Sequence, residues 1–366
     1  EMIWWLEFRR VLFRSMKIRK VWFVAIAGMM ILACAEKEPV YPWITDASVQ
    51  VEANGKIVGY EFWAKWWGSC NRLDAETFID PALIAYTSEN FVSYHLNVDS
   101  SQNDDLSKRF NIHSIPSYVF VDEEGNEIDR IVGYRPPAEY LAEMTRIRNG
   151  INTVPDLVRQ LQEDPDNADL LVSLAGKVET MSGLQAAMTY WEILFGLESV
   201  EPLLHSTAAL KMALYHAKEN QDPETLVSFI NNETNTEVLP KAYDALRNFY
   251  RGMKDNAAEA DTYRRYVDFM SGVQKETSGL LNGYAWRMTE LDLNLENALE
   301  RINQGIALLA EDEGARDKAQ IMDTKGEVLW KLGRIDEAVA VMDECIVLQP
   351  EDSYYQEQKT KFQTPS

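Results

Sequence analysis

Cysteine and histidine are the scarcest chemistry-bearing residues here, three and four respectively in 366 residues. Cys34, Cys70 and Cys345 are too few and too far apart to staple a small disulfide scaffold. Together with the scattered histidines they offer no ligand-spaced cluster for zinc. No metal and no other cofactor is expected. Basic charge is also short: 36 Lys and Arg stand against 58 Asp and Glu, a formal net charge of −22. A surface of that sign repels a phosphate backbone, so nucleic acid is excluded as a general partner. The chain lacks a phosphate-cradling glycine loop, a Gly-x-Ser-x-Gly elbow and a His-Glu-x-x-His motif. Acidic pairs are many, but among 58 acids their proximity reads as solvated surface. What remains is ordinary globular composition, 46% hydrophobic and 26% charged, in a length that suits two domains or three.

The first 33 residues differ from the rest. Glu1–Ser15 precedes a better start at Met16 and reads as a non-native extension, set aside from fold reasoning. In residues 16–33, Lys17, Arg19 and Lys20 precede the apolar run Val21–Ala33, which is too short to span a bilayer comfortably but fits an export signal. The chain turns polar at Ala35-Glu36-Lys37-Glu38-Pro39. The end of the run, Ile31-Leu32-Ala33-Cys34, resembles the lipobox of bacterial lipoproteins. That resemblance implies cleavage before Cys34 and acylation of Cys34, with several chains anchoring stably where one would not. It places the protein in the bacterial cell envelope, on the periplasmic side or at the outer membrane. A core helix with an incidental cysteine is the plainer alternative. Residues 1–33 hold six basic and two acidic residues, which leaves 30 against 56 in the exported part.

Residues 34–150 alternate strand-like and helix-like runs. Ile57–Trp63, Phe91–Val98, Ser117–Val121 and Glu127–Val132 read as strands, and Cys70–Phe78, Gln102–Phe110 and Pro137–Ile147 as helices. The alternation predicts an α/β domain around a central sheet. Within it, Phe62-Trp63-Ala64-Lys65-Trp66-Trp67-Gly68-Ser69-Cys70 resembles the active-site segment of the thioredoxin family, where the family has Trp-Cys-Gly-Pro-Cys. Glu76–Asp80, Asn97-Val98-Asp99, Ile115-Pro116-Ser117 and Val132-Gly133-Tyr134 follow in the order and spacing of the thioredoxin-like proteins of bacterial envelopes.

The resemblance implies a thiol–disulfide site, and one part of it is missing. In the family a thiolate at a helix N-terminus attacks a client disulfide, and a second cysteine resolves the mixed disulfide. By residue matching the nucleophile's position is Trp67 and the resolving position is Cys70. An indole cannot attack sulfur, so the two-cysteine cycle is absent. Glu61 matches the family's buried proton-moving carboxyl, and Pro116 the proline that is cis there, whose loop pairs with extended clients. Trp66, Trp67, Ile115 and Pro116 are the candidate client-binding residues, and Cys70 and Glu61 the candidate catalytic ones. Bland readings stand beside these: a sheltered core thiol, a solvent-facing acid, indoles that simply pack.

Gly150–Val154 reads as a hinge, after which strand signals vanish. Residues 151–366 read as amphipathic helices broken at polar turns such as Asp164–Asn167, Asn220–Pro223 and Asn231–Asn235. Gly326, Leu329, Gly333, Ile335, Ala338, Met342, Cys345 and Pro350 follow the spacing of a tetratricopeptide repeat, an all-α helical-repeat class that stacks helix pairs. Gly326, Ala338 and Cys345 are expected where two helices cross closely, which makes Cys345 a packing residue. Three functions are open. The first is a client-binding or adaptor protein that has lost dithiol turnover, with polypeptides or partner proteins as ligands. The second is an oxidoreductase working through the single thiol Cys70, and the third a scaffold.

Overall fold

The computed structural model describes residues 40–309 and 314–364. Cys34, and with it the export-signal and lipobox reading, lies outside the described residues. The chain divides into two compact units at Ile151/Asn152.

The first unit is built on a five-stranded sheet of order β1-β3-β2-β4-β5. Its strands are β1 (Trp43–Ile44), β2 (Ile57–Trp63), β3 (Phe91–Asn97), β4 (Ser117–Val121) and β5 (Glu127–Val132). β3 runs parallel to both β1 and β2, whereas β4 pairs antiparallel with β2 and with β5. Alternation of side chains sends Phe62 to one face, with Val92, Leu96, Phe110 and Val119, and Glu61 to the other. On that second face Tyr118 and Phe120 pack with Leu73, Phe78, Leu83, Tyr140 and Met144. Gly59 is required there, because a Cβ at this position would lie 2.5 Å from the Tyr118 ring.

Helices α1 (Gly68–Arg72), α2 (Pro81–Asn90), α3 (Asp104–Arg109) and α4 (Pro137–Arg148) complete the unit. The helix expected over Cys70–Phe78 is not continuous. After α1 the chain widens into a π turn over Leu73–Thr77, closed by the Phe78 N–H donating to the Leu73 carbonyl at 2.9 Å. The extra residue in that turn rotates the following side chains relative to an α-helix. α2 starts cleanly: Pro81 holds its first turn and the Asp80 side chain accepts from the Leu83 N–H at 2.9 Å.

The second unit is helical throughout its described residues, from Val154–Glu163 to Ser353–Phe362. Its helices break at the polar turns expected from the sequence. The pair Ala315–Lys331 and Ile335–Leu348 crosses closely over Gly326, where a Cβ would meet Met342 at 2.7 Å and Phe362 at 3.0 Å. Ala338 and Cys345 are fully buried in the same core, and the Cys345 thiol donates to the Ala319 carbonyl at 3.5 Å. Burial pushes that thiol up to about 12, which suits a packing residue.

The final helix docks through Tyr355 and Phe362 and through polar contacts with the helix Ala315–Lys331. Tyr354 donates to Asp323 Oδ2 at 3.0 Å, and Lys361 pairs with Glu327 at 2.7 Å. Asp323 Oδ1 is buried without a partner among the described residues. Burial raises this carboxyl to about 6, against the hydrogen bond from Tyr354 and with the help of the Glu327 charge. A folded-state pKa above the unfolded one means that Asp323 contributes most stability below about pH 4. That contribution is lost as the pH rises towards 6 and beyond. Raising a carboxyl from 3.8 to about 6 corresponds to roughly 3 kcal/mol. We therefore expect Asp323→Asn to stabilise the chain at pH 7 by on the order of 1–3 kcal/mol, and to bring no gain at pH 4, in urea unfolding followed by helical circular dichroism.

Candidate functional site

Trp67 caps the N-terminus of α1, and its carbonyl accepts the N–H groups of Cys70 at 3.1 Å and Asn71 at 3.2 Å. This turn carries Cys70 inward, where it is 2% exposed. Burial pushes the Cys70 thiol up to about 11; a backbone hydrogen bond involving Ala64 opposes the rise, and the Glu61 and Asp74 carboxyls add to it. At pH 8 only about one molecule in a thousand then carries the thiolate that attacks disulfides. Cys70 and Cys345 are both free thiols.

The indoles do the opposite. Trp66 is 66% and Trp67 45% exposed, with their rings edge-to-face at 5.8 Å. Trp66 is pinned rather than loose, since its Nε1–H donates to the Asp99 carboxylate at 3.0 Å. Asn71 closes the same loop by donating to the Lys65 carbonyl at 3.0 Å. Because Phe62 near the end of β2 pairs with Ser117 at the start of β4, the Trp66–Trp67 loop and the Ile115–Pro116 turn leave the same end of the sheet. The Ile115–Pro116 peptide bond is cis. Pro116 is buried and its carbonyl accepts from the Gly133 N–H at 2.8 Å, while half-buried Ile115 packs on the Phe62 layer.

Glu61 is 1% exposed and faces no solvent. Its neighbour is one that sequence reasoning did not find: His95, its register partner on β3, whose Nε2 lies 3.0 Å from Glu61 Oε2. The approach is off the line of a hydrogen bond, and neither atom has an aligned partner among the described residues. The imidazole is stacked between Trp43 at 4.6 Å and Trp63 at 4.5 Å, both inclined by 19°. Burial raises the Glu61 carboxyl, against the pull of His95. Asp74, brought round by the π turn, is raised by burial too and feels the same imidazole. A parallel register joins Glu61 to His95 across 34 positions, and no local pattern reveals such a pairing.

The cluster therefore holds a sheltered thiol, two acids and a clamped imidazole, with no second thiol beside them among the described residues. Nor do the described residues include a group of His, Cys, Asp and Glu suited to a metal ion. Native Cys70 is expected to react with iodoacetamide at pH 8 at least a hundredfold more slowly than free glutathione, and to reach the rate of a simple thiol only after unfolding. Mass spectrometry of the Cys70 peptide measures this directly.

Residues 44–148 match the family model described as a thioredoxin-like domain. Among curated proteins, the thiol:disulfide interchange protein DsbD of Tatumella citrea is 29% identical over 100 residues, 26% of this chain and 17% of the relative. The chloroplastic thioredoxin-like protein HCF164 of Oryza sativa subsp. japonica is 33% identical over 104 residues, 28% of this chain and 38% of the relative. The chain thus spans well under half the length of these curated relatives. Among solved structures, YrrB, a TPR protein with an unusual peptide-binding site, aligns with 56% of this chain and 97% of its own at 12% identity and a TM-score of 0.37. The N-terminal unit is a thioredoxin-like domain, related to the thiol–disulfide proteins DsbD and HCF164 and followed on the same chain by a many-helix unit.

Proposed function

We propose that this protein binds polypeptide clients or partner proteins through a thioredoxin-like surface from which dithiol turnover has been lost, and that it does so in the bacterial envelope, held by lipid on Cys34. The observation that carries the reading is the inversion at the site: the position matched to the nucleophile bears an exposed indole, Trp67, and the remaining thiol is 2% exposed with its pKa pushed up to about 11. Thiol–disulfide exchange needs an accessible thiolate and, for release, a second thiol. Binding needs neither. Two indoles standing out of a pinned loop supply the large, rigid apolar contact area that dominates binding energies. The Ile115–Pro116 turn, matched by the resemblance to a loop that pairs with extended clients, leaves the same end of the sheet.

The helical unit would serve the same end, since stacked helix pairs form extended surfaces suited to protein partners. The anchoring part of the proposal rests on Lys17, Arg19, Lys20, the apolar run and Cys34. No helix among the described residues is long and apolar enough to cross a membrane.

The test is equilibrium binding of a reduced, carboxymethylated polypeptide, which is unfolded and carries no disulfide to react. Replacing both Trp66 and Trp67 by Ala is expected to weaken binding at least tenfold, whereas Cys70→Ser changes it less than twofold. Unchanged affinity in the double-indole variant contradicts the proposal.

A further inference from the structure

A groove of about 590 Å³ opens beside β1 and the π turn. Its walls are aromatic and fixed: Tyr41 stacks on Trp43 at 4.1 Å, and Phe78 meets both rings edge-on at 4.8 and 5.0 Å. Its rim is apolar and open, with Ile79 62% and Val40 82% exposed. The Tyr41 hydroxyl is turned to the interior, within 3.2 Å of Thr87 Oγ1 and 3.8 Å of the Met144 sulfur. One carboxylate, Asp74, lines the groove. No hydrogen bond or ion pair reaches it from the described residues, and burial raises its pKa. A partly desolvated acid between rigid aromatic walls is complementary to a cation on an apolar stem.

We propose that this groove binds an extended peptide segment bearing one lysine or arginine between aliphatic residues. The cationic head meets Asp74, its methylene stem lies against the edge of Trp43, and the flanking aliphatic side chains rest on Ile79 and Val40. Long basic side chains bury their stems and keep the charge at the tip, which is the shape the groove offers. A charge-assisted hydrogen bond to an acid that is already partly dehydrated is stronger than one on an open surface. The net charge of −22 steers basic segments towards the protein at low salt. The groove does not include Trp66 or Trp67, so the two surfaces are separable by mutation.

The probe is the N-acetylated pentapeptide amide Leu-Val-Lys-Val-Leu, compared by titration calorimetry with the same peptide carrying norleucine in place of lysine. The lysine peptide is expected to bind at least tenfold more tightly in 20 mM salt and to lose that advantage in 0.5 M salt. Asp74→Asn, nearly isosteric, removes the discrimination, and Asp74→Glu restores part of it. The double variant Trp66→Ala, Trp67→Ala leaves it within twofold. Equal binding of the two peptides, or full discrimination by Asp74→Asn, overturns the proposal. Loss of binding in the double-indole variant assigns the peptide to the indole surface instead. A gain of more than threefold in Lys37→Ala assigns the groove to the chain's own N-terminal segment, which equally overturns it.

Discussion

The parallel pairing of β2 with β3 is the constraint on which the rest of the first unit depends. It sets Glu61 opposite His95, on the sheet face that Leu73, Phe78, Tyr140 and Met144 cover. An acid is thereby held inside an aromatic layer of Tyr41, Trp43, Trp63, Phe78 and Tyr118. Burying such a group is costly unless a partner shares or removes its charge. The His95 imidazole, 3.0 Å from Glu61 Oε2, opposes the rise that burial imposes on the carboxyl, and the two indoles that stack on it fix where it stands. The same strand ends in the loop that exposes Trp66 and Trp67. One element thus delivers both the closed interior and the open surface.

From that arrangement the chemistry of Cys70 follows. A helix start beside cationic groups would favour a thiolate; here burial and two carboxyls do the reverse. Position 67, matched by the family resemblance to the nucleophilic thiol, carries an indole. Glu61 and His95 stand together on the covered face of the sheet, 3.0 Å apart.

Much of this was legible in the sequence, and the remainder has identifiable physical reasons for staying hidden. The strands Ile57–Trp63, Ser117–Val121 and Glu127–Val132 are readable because apolar and aromatic residues, interrupted by Glu61 in the first and by charged residues in the last, lie between turn signals, and they occur with those bounds. β1 is only two residues long and shows no period at all. α2 buries Leu83, Ile84 and Thr87, a cluster too tight to project a clear helical stripe, although Asp80-Pro81 marks its start. The π turn over Leu73–Thr77 breaks the 3.6-residue period on which the reading of Cys70–Phe78 relied, and it is this turn that brings Asp74 into the groove. His95 could be found only through strand register, a long-range property. In the helical unit, small residues at Gly326, Ala338 and Cys345 announced a close crossing because only their size permits one.

The central claim is that a thioredoxin-like framework persists here with its nucleophile position filled by Trp67. The direct measurement is disulfide reductase turnover with dithiothreitol as donor, comparing the chain from Cys34 onward (Cys34→Ser) with its Trp67→Cys variant. The account predicts no turnover above background for the unmodified site and clear turnover for the variant, whose new thiol would stand at the start of α1, ahead of Cys70. Turnover by the unmodified chain, abolished by Cys70→Ser, would contradict it.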